Sequence, residues 1–117
     1  MIRVVIAEDS EAGRENLVDL LERNNYFVKA FEDGQEALDY LSDNPADLVM
    51  TDIDMPRLDG YGLIDGLNQL NRTNPILVYA QEFDRDRVQY AGKISFLSKA
   101  ECPTNEEKLA EVRAALE

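Results

Sequence analysis

The sequence predicts an α/β fold built on a parallel sheet. Three observations predict it: short apolar runs alternate with helix-period segments from end to end, the connections between them are short, and no internal repeat or low-complexity tract interrupts the alternation. Ile2 to Ala7 is a continuous apolar run broken only by Arg3, the pattern of a strand buried on both faces. Residues 12–23 carry Leu17, Leu20 and Leu21 at helical spacing, and Asn24-Asn25 supplies turn residues after them.

Tyr26 to Phe31, rich in aromatic and β-branched types, predicts the second strand. Asp33 with Glu36 three positions later opens a helix carrying Ala37, Leu38 and Leu41. Asp47 to Thr51 is the third strand and runs into Asp52. A loop with Pro56 and Gly60 leads to a helix bearing Ile64, Leu67 and Leu70. Pro75 begins the fourth strand, through Ala80. A polar, weakly amphipathic helix is expected near residues 84–91, with Gly92 as its stop. Ile94 to Ser98 is the fifth strand, ending at Lys99. Thr104 and Glu107 form a capping-box pattern for a last helix with Leu109, Val112 and Leu116 on one face.

Strand-helix alternation requires crossovers that cover both faces of the sheet. The expectation is one domain over residues 1–117, a flavodoxin-like three-layer sandwich with strand order 2-1-3-4-5 and five helices. In such a sheet the ligand site lies beyond the carboxyl ends of strands one and three, where the order reverses.

Composition narrows the chemistry. The balance of 44% hydrophobic and 31% charged residues is that of a globular domain. No apolar run is long enough to cross a bilayer and no signal-peptide pattern opens the chain, so a cytoplasmic location is expected. There is no histidine, which excludes a Ser-His-Asp triad and any autophosphorylating histidine. The single cysteine, Cys102, makes neither an internal disulfide nor a thiolate metal site, and reads as a loop residue. A net charge of −12 opposes binding to nucleic acid and anionic membranes.

The strand ends carry the chemistry. Strand one ends in Glu8-Asp9, strand three in Asp52, strand five in Lys99. The fold would gather three carboxylates and one ammonium at one rim. Clustered carboxylates repel one another, and a hard divalent cation such as Mg²⁺ resolves the conflict with oxygen ligands. Beside it, a carboxylate can act as a nucleophile toward a phosphoryl group, with the ammonium opposite. Taken singly, each residue has a plainer explanation: helix N-terminal charge for Glu8-Asp9, a loop residue for Asp52, an exposed charge for Lys99. Their common rim favours the site.

The run Asp52-Ile53-Asp54-Met55-Pro56-Arg57-Leu58-Asp59-Gly60 closely resembles the phosphoacceptor loop of response-regulator receiver domains of two-component systems. With Glu8-Asp9 and Lys99 the resemblance covers the whole chain. It implies that Asp52 accepts a phosphoryl group from a histidine kinase or phosphotransfer protein. It also implies that Asp9 and Asp52 hold Mg²⁺ by their side chains, Glu8 directly or through water, and Asp54 by its backbone carbonyl. Lys99 would contact the phosphorylated Asp52, and Phe96 matches the aromatic whose rotamer reports phosphorylation; a strand residue packed on a neighbouring helix is its plainer role. A downstream effector protein or domain would read the change at residues 84–116. Such a domain is not an enzyme, beyond catalysing its own phosphorylation and dephosphorylation.

Two positions depart from that pattern. The family carries Thr or Ser at the end of strand four, where this chain has Ala80 followed by Gln81; a one-residue slip would put Tyr79 there. The family usually has Pro after the lysine, often through a cis peptide, where this chain has Ala100. These departures define the alternative, a phosphorylation-independent interaction module of the same fold. Asp52-Ile53-Asp54 also resembles the motif of haloacid dehalogenase-type phosphohydrolases, but there it follows the first strand of a longer chain. The sequence stops in its last predicted helix without a linker or effector region, compatible with a stand-alone receiver or the N-terminal part of a longer protein.

Overall fold

A computed structural model describes residues 1–117. Five parallel strands, β1 (Arg3–Ala7), β2 (Phe27–Phe31), β3 (Leu48–Thr51), β4 (Ile76–Ala80) and β5 (Ile94–Ser98), pair in the order β2-β1-β3-β4-β5. The expected topology is therefore present. Four α-helices connect or follow them: α1 (Glu11–Glu22), α2 (Gly34–Asp43), α3 (Gly60–Gln69) and α4 (Asn105–Ala115).

Alternation along each buried strand divides the core in two. Val5, Ala7, Val49, Ile76 and Val78 face α2 and α3, where they meet Leu41, Leu63, Ile64 and Leu67. Val4, Ile6, Leu48, Met50 and Leu77 face α1 and α4, against Leu17, Leu21, Val112 and Ala115. Side-chain caps open the helices, those of α2 and α4 where the sequence places them. Asp33 accepts from Glu36 N–H, Asp59 accepts from Gly62 N–H, and Thr104 with Glu107 closes a full capping box. Leu70 lies beyond the core face of α3, as its C-cap, and is exposed. No helix is long and apolar enough to cross a membrane.

The helix expected near residues 84–91 is absent, so the helices number four and not five. Only Arg85–Arg87 form a single 3₁₀ turn. The reason is the spacing of Val88 and Tyr90, the segment's apolar residues that pack against the core. Two residues apart, they share a side in an extended chain and point apart on a helix. The Tyr90 hydroxyl donates to Asn74 O at 2.5 Å and the Arg85 guanidinium donates to Ile94 O, which fix the extended path. Gly92 thus stops no helix. It lets the backbone pass Thr73, whose carbonyl oxygen would lie 2.4 Å from an added Cβ.

After Lys99 the chain takes a 3₁₀ turn over Lys99–Glu101, with the Ser98 hydroxyl accepting from Ala100 N–H at 3.2 Å. The turn ends at the exposed Cys102 in the left-handed region, φ 49°. All peptide bonds are trans, the one between Lys99 and Ala100 included.

Candidate functional site

The three carboxylates and the ammonium meet. Asp52 follows β3 and its N–H donates to Ala7 O at 2.9 Å; Glu8 follows β1 and its N–H donates to Phe31 O at 3.0 Å. Ladder hydrogen bonds thus carry past the strand ends and fix both backbones. Lys99, the first residue beyond β5, reaches across β4 to them. Its Nζ donates to Glu8 Oε1 at 2.9 Å, Glu8 Oε2 at 3.0 Å and Asp52 Oδ2 at 2.8 Å. Asp52 Oδ1 accepts from Ile53 N–H at 2.6 Å, which holds the carboxylate's orientation.

Carboxylate oxygens of Glu8, Asp9 and Asp52 lie within 4.8 Å of one another. Three carboxylates are an all-oxygen, anionic donor set, and one that could hold a hard divalent cation. Burial is graded across it: Glu8 is buried, Asp52 half-buried and Asp9 exposed. Burial pushes the Glu8 carboxyl up to about 7, aided by Asp52 and opposed by the Lys99 hydrogen bond. Burial pulls the Lys99 ammonium down, but its hydrogen bonds to Asp52 and Glu8 outweigh this and leave it raised. A second acidic group, Glu32, Asp33 and Glu36, stands at the start of α2. There Asp33 is committed to capping α2 and to Arg57, 3.2 Å away.

These residues open onto a cleft of about 550 Å³. Asp54 lines it and is exposed. Ala80 is the last residue of β4, is buried, and forms part of the cleft wall. Tyr79 points to the opposite face, where Lys99 and Lys108 approach its ring at 5.2 and 5.5 Å, so no slip brings it to the site. Phe96 is 41% exposed, and its ring lies 5.9 Å from that of Phe83 in the β4–β5 connection.

Sequence reasoning missed Tyr61, Glu82 and Arg87, which also line the cleft. Tyr61 was within reach, since it follows Gly60 at the same rim. Arg87 was not, because a helix over residues 84–91 would have given it another direction.

The chain is similar to known proteins along most of its length. The model of the response regulator receiver domain family matches residues 4–112. The response regulator MprA of Mycobacterium sp. (strain KMS) is 38% identical over 118 residues, covering 98% of this chain and 50% of MprA. The sensor histidine kinase RcsC of Escherichia coli (strain K12) is 34% identical over 99 residues, covering 82% of this chain and 10% of the kinase. The chain thus spans about half the length of one such relative and a tenth of the other. Among solved structures, chemotaxis response regulator CheY4 of Vibrio cholerae superposes with a TM-score of 0.87 at 23% identity, over 99% of each chain. A signal receiver domain of a histidine kinase from Syntrophus aciditrophicus gives 0.83 at 28% identity, over 99% of this chain and 90% of that one. The chain belongs to the response regulator receiver domain family.

Proposed function

We propose that residues 1–117 act as a phosphorylation-dependent receiver, with Asp52 as phosphoacceptor. The observation that carries this is the meeting of Glu8, Asp9, Asp52 and Lys99 around one cleft. An Asp52 carboxylate oxygen attacks the phosphorus of a phosphohistidine on a kinase or phosphotransfer protein. The P–N bond breaks, its electron pair stays on the imidazole nitrogen, and an aspartyl phosphate remains. Water later cleaves that phosphate, restoring the carboxylate and releasing inorganic phosphate.

Asp9 and Asp52 would hold Mg²⁺ by their side chains, Glu8 directly or through water, and Asp54 by its backbone carbonyl. When bound, Mg²⁺ supplies positive charge against which the phosphoryl oxygens are stabilised. Lys99 neutralises Glu8 and Asp52 in the resting site and pairs with a phosphoryl oxygen after transfer. The altered site shifts a two-state equilibrium that a downstream effector reads at residues 84–116, including Phe96. The working location is the cytoplasm, without direct contact to nucleic acid or membrane, consistent with the net charge of −12.

Incubation with Mg²⁺ and phosphoramidate or acetyl phosphate, followed by intact mass, tests the reading. Wild type should gain one phosphoryl group and Asp52→Asn none. No gain in wild type, or in an Ala80→Thr variant, would leave a phosphate-independent interaction module; the intact quartet weighs against that.

A further inference from the structure

Ala80 leaves the cleft wall without a hydroxyl, so β4 itself offers no side-chain donor to a group on Asp52. Lys99 and Arg87 are the only cations that line the cleft. The three N–H donors of Lys99 already serve two oxygens of Glu8 and one of Asp52. Arg87 is different. Glu82, Asp84 and Asp86 lie within five residues of it, yet its guanidinium forms no ion pair. It rests instead on the Tyr61 ring, 4.0 Å from the centroid, and Tyr61 lines the same cleft. A cation parked on a neutral ring gives up only that contact when an anion arrives. Arg87 is the last residue of the 3₁₀ turn over Arg85–Arg87 and lines this cleft as well as a neighbouring one beside Asp65 and Asp86.

We propose that Arg87 is a phosphoryl-binding residue that stands in for the missing hydroxyl. This rests on Asp52 being the phosphoacceptor. The guanidinium leaves Tyr61 and donates paired N–H groups to the phosphoryl oxygens, a fork that suits a phosphate and is stronger than a neutral hydroxyl donor. Gln81, exposed beside Ala80, has only a neutral amide to offer. The move also uncovers Tyr61, whose ring stacks on Phe83 at 5.9 Å, and Phe83 in turn meets the exposed Phe96. Phosphorylation thereby reaches β5 through rings rather than through a hydroxyl.

Beryllium fluoride with Mg²⁺, a tetrahedral mimic of a carboxylate-bound phosphoryl group, is titrated into wild type, Arg87→Ala and the double variant Arg87→Ala with Ala80→Thr. Arg87→Ala should bind about tenfold more weakly, and the hydroxyl introduced by Ala80→Thr should recover most of that loss. The Arg87 Nε–H and Tyr61 ring resonances of wild type should shift on binding. Mg²⁺ affinity alone should be the same in Arg87→Ala and wild type, which shows the carboxylates undisturbed. Equal beryllium fluoride affinity with and without Arg87, or an unmoved Arg87 resonance, overturns this inference and leaves the Asp52 reading intact. Wild type that binds no beryllium fluoride and gains no phosphoryl mass overturns both.

Discussion

Glu8 carries the electrostatic tension of the site. Its carboxyl ordinarily titrates near 4.5, and burial raises it to about 7. A carboxyl raised by folding contributes stability that is fully present below its unfolded value and is lost as pH rises through the folded one. Without divalent cation, wild type should therefore lose stability relative to Glu8→Gln between about pH 4.5 and 8, by up to roughly 3 kcal/mol. Urea unfolding of both proteins across that window checks it; a constant difference would reject burial as the cause. Glu8, Asp9, Asp52 and Lys99 were legible because each ends or follows a strand, and parallel strands deliver their carboxyl ends to one rim. Arg87 was not legible, since nothing in its local sequence says which way a side chain on a turn will point.

The β3–α3 connection is held by close backbone contact. A Cβ on Gly60 would lie 2.3 Å from Asp52 O and 2.8 Å from Ile53 Cα, neither of which can yield without moving Asp52. Gly60→Ala should cost about 2–3 kcal/mol and slow phosphorylation by phosphoramidate. Gly62→Ala crowds chiefly the flexible Leu58 side chain and should cost less. Thermal unfolding and intact mass measure both effects. Arg57 shows the same constraint, with φ 68° and its guanidinium held by Asp33. The caps of α2 and α4 were legible because they depend on residues three apart. The segment after β4 was misread because a polar stretch with two apolar residues is weak grounds for a helix. The anchoring of Tyr90 on Asn74, 16 residues away, is invisible to local pattern.

At the scale of the whole molecule, two apolar cores sandwich the sheet while a net charge of −12 works against compaction. Raising NaCl should shift the urea midpoint upward in wild type and Asp9→Asn alike, because screening is indifferent to one site. Mg²⁺ at matched ionic strength should add a further rise in wild type that Asp9→Asn largely lacks. Equal responses to Mg²⁺ would mean the cation acts only as salt. Sequence alone determined the five strands, their order, the two-sided burial and the acidic rim, because these follow from periodicity and from how parallel strands must be connected. Tertiary structure alone decided that the β4–β5 segment is extended, that Lys99 spans Glu8 and Asp52, and that Arg87 lies on Tyr61. Each of those depends on contacts between residues distant in sequence, whose energies no local pattern records.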